Sequence, residues 1–386
     1  MTTVQVRKQE LFIKLVTRLP MLIPGFLALG VGTLAGLWRM GWDLQTLPQN
    51  LAQLHGPLMV AGFFGTVIGL ERAVALGRWP AYLAPVLNGV GVIAFFAGAP
   101  YVIAGTLMIL GAVVFTAASL AVMKMQPVVH IALLVVGALF LVFGNIAAFG
   151  LGNIDAALPW WIGFLVLTIV GERLELSRLR PTGTKPKVVL QALAIAFIGA
   201  AVGVALDTTG ADWLFGTSLV GFAVWLALYD IARHTIRQSG LVRYVAVCLL
   251  GGYAWLAVGG AIWATAETYD VVVYARDAGL HAIFLGFVMT MVFGHASIIF
   301  PAVTGMAVPY HKAFYLHLIV LHASLGLRLI GDTVDLEALR LYGSLGNAVA
   351  LALFILNTVL AVRRGVKARG QNRPAPATPP AQLDTP

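Results

Sequence analysis

Cysteine, charge and polar tracts are all scarce in this chain. Cys248 is its single cysteine. One thiol excludes a disulfide framework, a cysteine-only iron–sulfur centre and a cysteine-rich zinc site. Charged residues make up 11% of the 386, and only 16 are acidic. Apolar residues reach 60%, and the mean hydropathy is +0.90. A soluble domain of that composition would expose large apolar patches, so the fitting solvent is lipid. The net charge of +9 forms no patch, which argues against nucleic acid as a partner. No clear small-residue cleavage site accompanies the first apolar run, so it reads as a membrane span rather than a removed leader.

What is present is a succession of apolar runs. A spanning helix needs about 20 mostly apolar residues. Twelve stretches qualify: 19–38, 54–76, 80–99, 101–123, 128–150, 158–176, 188–206, 213–233, 243–265, 278–303, 313–331 and 340–362. The expected organisation is a cytoplasmic segment over 1–18, a membrane domain over 19–365 and a disordered cytoplasmic tail over 366–386, rich in Pro and Ala. Lys and Arg concentrate in cytoplasmic loops. With both termini inside, 21 of the 25 basic residues fall on the inner side; Arg39, Arg276, Arg328 and Arg340 fall outside. The expected location is a bacterial-type inner membrane. Trp160, Trp161, Trp213, Trp255 and Trp263 read mostly as an interfacial belt.

A pattern recurs every fourth span. Gly62-Phe63 is followed after seven residues by Glu71-Arg72, Gly163-Phe164 by Glu172-Arg173, and Gly286-Phe287 by His295. The expected fold is therefore an all-α polytopic membrane protein of about twelve helices. Its helices would form three four-helix units in a pseudo-threefold arrangement. The Glu-Arg pairs are expected to form ion pairs between units.

Eight histidines remain to be placed. Ionisable groups inside a bilayer are costly and mark function, and imidazole is a common haem and metal ligand. His55 opens the second span and His281 the tenth, at similar depth, so the two can ligate one haem between them. Gly56, Gly62, Gly279 and Gly286 would let a flat macrocycle approach. His295 lies 14 residues after His281, about 21 Å along an α-helix and about 40° apart in azimuth. The two are thus expected on one face, as in membrane b-type cytochromes that stack two haems. His295 would share a second haem or a metal with His322 or His317 from the eleventh span. His130 is a weaker candidate, and His234 and His311 read as interfacial. Arg328 can pair with haem propionates. A cofactor-free transporter or assembly factor using these histidines as a proton relay is the competing reading.

His55-Gly56-Pro57-Leu58-Met59-Val60 resembles the second helix of haem–copper oxidase subunit I. Leu280-His281-Ala282 through Gly286, Met289, Met291 and Gly294-His295 is similar to the NnrS family, as is Leu321-His322-Ala323-Ser324-Leu325-Gly326-Leu327-Arg328. The resemblance covers about 80 residues and the helix count. It implies a twelve-span b-type haem protein, with copper a further candidate cofactor. It also implies handling of electrons or of a diatomic ligand such as nitric oxide, in nitrosative stress or respiration. If the protein turns over, it would be a haem-dependent oxidoreductase, fed by a redox partner. The oxidase copper site does not carry over, because the sixth span opens Pro159-Trp160-Trp161 with no histidine. Oxygen reduction and proton pumping do not carry over with it.

Overall fold

The structure, a computed structural model, describes residues 3–44, 49–176, 183–266 and 274–371. Among these there is helix and no strand. Twelve helices are long and apolar enough to cross a bilayer. They are α1 (Thr17–Arg39), α2 (Ala52–Leu76), α3 (Trp79–Phe96), α4 (Tyr101–Met125), α5 (Val129–Gly150) and α6 (Ile154–Leu176). The second half holds α7 (Thr184–Ala205), α8 (Ala211–Tyr229), α9 (Gly240–Thr265), α10 (Ala275–Thr304), α11 (Phe314–Thr333) and α12 (Glu337–Ala368). The chain is a polytopic, multi-pass membrane protein.

The expected spans all appear, with shifted ends. The helix holding α1 begins at Thr3, inside the segment read as 1–18. The helix holding α12 runs on to Gln371, so the stretch 366–371 is helical rather than disordered. The rest of the expected tail lies outside the described residues, as do Arg178, Arg180, Glu267 and Asp270.

Consecutive spans pack side by side, and α12 returns to α1. The most buried spans are α2, α5, α6 and α10, and α10 touches both α2 and α6. Lipid tails supply no hydrophobic drive between helices, so close packing of small residues does much of the work. Where α8 crosses α9, a Cβ on Gly216 would lie within 2.5 Å of backbone atoms of Gly260 and Ala264. The three glycines of the recurring pattern behave alike. A Cβ on Gly62 would collide with Ala28 of α1, on Gly163 with Phe140 of α5, and on Gly286 with Trp255 of α9. Each is the point where its span presses on the one before it. Gly279 likewise faces Ile262 of α9. These glycines therefore serve helix contact, and the expectation that they open space for a macrocycle is corrected for Gly62, Gly279 and Gly286.

Candidate functional site

The two spans that carry His55 and His281 share an uncommon backbone. Immediately after His55, α2 turns π-helical over Leu58–Phe64. Immediately after His281, α10 does the same over Ala282–Met289. Such segments are rare, short and concentrated at functional sites. Each follows its histidine by at most a few residues, so both rings leave the backbone just ahead of a local widening.

The rings meet. Their centroids are 6.3 Å apart, and their planes lie 17° from parallel. His55 Nδ1 is 2.7 Å from the carbonyl of Gly32 on α1. His281 Nδ1 is 2.8 Å from the carbonyl of Asp277, one turn earlier. A carbonyl can only accept, so each Nδ1 carries the proton and each Nε2 keeps its lone pair. This second-contact arrangement is what orients a metal-ligating imidazole. Two metal–nitrogen bonds of about 2 Å each plus about 1 Å from each ring nitrogen to its centroid account for the observed spacing.

A cavity of about 210 Å³ surrounds the pair. Its walls are largely apolar and include Met59, Phe64, Trp161, Phe284 and Met289. Gly56 lines it, but Gly36 of α1 does more: a Cβ there would come within 2.8 Å of the His55 ring. Arg39, which is exposed, and Arg328 bring cations to its lining. Arg328 is buried and donates to Asp277 Oδ2 at 2.7 Å. The same carboxylate oxygen lies 3.3 Å from His281 Nδ1. Arg328 is thus bound to the His281 side of the site through Asp277, and its Nε, which makes no hydrogen bond among the described residues, lies 4.0 Å from Asp332 Oδ2. Arg276 and Arg340 lie over the rings of Trp263 and Tyr274. That leaves Arg39 as a second cation at this cavity, one the sequence reading passed over.

His295 lines a different cavity, of about 710 Å³, enclosed by α1, α2, α6, α10 and α12. The expectation of one shared face with His281 assumed about 100° per residue throughout. The π-helical stretch between them bonds i→i+5 and turns less per residue, so that arithmetic fails. Nor do His317 and His322 reach this cavity. His317 is buried with both nitrogens engaged, Nδ1 by Asn357 Nδ2 and Nε2 by the Tyr244 hydroxyl, each near 3 Å. His322 accepts from Trp255 Nε1 and lies nearly parallel to that indole. His130 sits buried at the start of α5. Glu71 and Glu172 line the His295 cavity as well. No ion pair closer than 4.0 Å joins either to an arginine among the described residues, contrary to expectation.

Trp161 is fully buried and donates to Asn145, and Trp263 donates to Asp212. Only Trp213 of the five is strongly exposed. Outside the spans, burial pushes the Asp230 carboxyl above its ordinary range, opposed by the Ala232 N–H that it accepts and by Arg173.

No curated protein and no solved structure matches the chain. A family model does match it, over residues 18–363, which takes in all twelve spans save the first residue of α1 and the end of α12. The chain belongs to the family described as Domain of unknown function (DUF8744).

Proposed function

We propose that this is a membrane haem protein, NnrS-like in kind, in which His55 and His281 supply both axial ligands of one b-type haem. The carrying observation is the 6.3 Å separation of two near-parallel imidazoles whose Nδ1 atoms are both tied to main-chain carbonyls. Apolar walls suit a macrocycle, and Arg39 and Arg328 on the lining suit its carboxylates. The group, when bound, would accept and release one electron at a time. The residues around it hold its ligands in one tautomer, exclude water and balance charge.

With both axial places taken, this site favours electron transfer over capture of a diatomic ligand such as nitric oxide. Copper has less behind it: His295 is the one imidazole on its cavity, and among the described residues no group of three metal-ligating side chains is assembled. The burial of α2, α6 and α10 and the matching glycine contacts support three four-helix units. The basic-residue count supports a bacterial inner-membrane location with both termini cytoplasmic.

The test is the absorption spectrum of the purified protein. A Soret band is expected, with the six-coordinate low-spin form in both oxidation states, and it should vanish in His55→Ala and in His281→Ala. A colourless protein that takes up no added haem would leave the transporter reading in its place.

A further inference from the structure

We propose that the His295 cavity binds the headgroup of a lipid-soluble quinol. This reading deepens the proposed function by naming an electron donor class, but its binding half does not need haem.

Four observations converge. The cavity, at about 710 Å³, falls in the range of small-molecule sites, and it is lined mainly by aliphatic and aromatic side chains. Ile23 and Leu27 of α1 and Val359 of α12 line it and are 53%, 48% and 43% exposed, so it meets the bilayer between those two helices. A ligand can enter from lipid without crossing water. Third, the polar groups on its walls accept hydrogen bonds. His295 Nδ1–H is spent on the Met291 carbonyl at 2.7 Å, so Nε2 presents a lone pair. Glu71 and Glu172 are on the lining as well, and a carboxyl oxygen of either can accept. Thr358 also lines the cavity, and its hydroxyl, having donated to the Phe354 carbonyl, can only accept from a ligand. Arg363, the one cation on the lining, is exposed at the edge. A lipophilic ligand that satisfies such walls must bring donors, and a ring with two hydroxyls brings two. Lastly, Phe64 lines this cavity and the His55–His281 cavity alike. That side chain is a wall common to the two.

The transfer step balances as follows. One quinol gives up two electrons and two protons and becomes a quinone. One ferric haem takes one electron, so a quinol's two electrons would be taken up by the haems of two protein molecules, one each. The protons leave the two hydroxyls toward His295 Nε2 and a Glu71 or Glu172 carboxylate.

The experiment photolabels full-length protein in detergent with an azido-ubiquinone and maps the modified peptides. Label is expected on α1, α10 and α12 and should be competed by decylubiquinol. His295→Ala and Glu71→Gln should each weaken competition roughly tenfold, the loss of one hydrogen bond to a charged or strongly accepting group. Leu27→Trp, which fills the lipid-facing mouth and touches no polar group, should abolish labelling. All three variants should keep the absorption of the His55–His281 site. Where haem is present, two ferric centres should be reduced per decylubiquinol. Labelling elsewhere, or labelling indifferent to His295→Ala, overturns the proposal. So does a second haem per chain that is lost in His295→Ala, since haem would then fill the cavity. Specific labelling of a protein that never binds haem would uphold the quinol site and sink the haem reading instead.

Discussion

Gly36 and His55 are matched in shape: a single methyl group on the first would stand 2.8 Å from Cε1 and Nδ1 of the second. Real Cβ atoms do not approach that closely, so the ring must move. Moving it breaks the bond to the Gly32 carbonyl, which sits on the same face of α1 one turn earlier. Gly36→Ala is therefore expected to lower haem affinity by about 10–100-fold, the usual cost of losing an orienting contact. Gly30→Ala, where nothing lies within 4 Å of the added carbon, should bind as the parent does. Titration of haem into the apoprotein compares the two. Equal affinities would mean that His55 is not held where the ligand needs it.

The Arg328–Asp277–His281 chain carries a second expectation. Asp277 Oδ2 serves Arg328 at 2.7 Å and His281 at 3.3 Å. Replacing Asp277 by Asn keeps its backbone carbonyl on His281 but removes the negative charge from beneath the ring. The imidazole becomes a weaker electron donor, so the haem midpoint potential should rise. Arg328→Gln acts oppositely, by unmasking that charge, and should lower it. A redox titration followed at the Soret band reads both shifts. Shifts of one sign in the two variants would show that the carboxylate does not act through His281.

What could be read from residues alone, and what could not, divides along one line. Apolar runs announce spans because every buried backbone group must bond within its own helix. His55 and His281 were found the same way, as costly groups at matched ends of apolar runs. The face each side chain presents was harder to read. It depends on helical phase, and both Leu58–Phe64, which follows Pro57, and Ala282–Met289, which has no proline beside it, change that phase. His295 was assigned the wrong neighbours for that reason. Gly286 and Trp161 failed differently: small and aromatic residues look alike in a cofactor pocket and in a helix crossing. Only the partner helix, Trp255 for Gly286 and Asn145 for Trp161, decides between them.

Asn145 gives a stability expectation. Its amide oxygen accepts from Trp161 Nε1 at 3.0 Å, and its nitrogen donates to the Met108 carbonyl at 3.1 Å. Met108, Asn145 and Trp161 are all fully buried, where α4, α5 and α6 meet. Asn145→Ala strands an indole N–H and leaves a gap, at a cost of about 1–3 kcal/mol. Thermal denaturation in detergent should show it as a lowered midpoint. Trp161→Phe strands the Asn145 amide oxygen in turn and should lower the midpoint too, while the double variant, which removes donor and acceptor together, should cost less than the two single changes summed. An unchanged midpoint in both would mean that this network is not what fixes α5 against α6.

His317 and His322 test whether a second haem is held across α10 and α11. His317 is 2% exposed, and its ring lies among Tyr244, Phe293, Phe314 and Phe354. With Asn357 donating to Nδ1, Nε2 must carry the proton and donate to Tyr244. Neither nitrogen is left for a metal. By the same reasoning the indole N–H of Trp255 occupies His322 Nδ1, so the proton of His322 sits on Nε2. His317→Ala should therefore cost about 1–3 kcal/mol of stability, since Tyr244 and Asn357 lose their partner in a buried setting. It should leave haem content per chain where it was. His322→Ala, at a half-buried position, should cost less and likewise leave haem content alone. Pyridine haemochrome assay on both variants, normalised to protein, gives the answer. A halved haem content in either would make that imidazole a ligand, and the hydrogen bonds drawn here would have to give way when the cofactor enters.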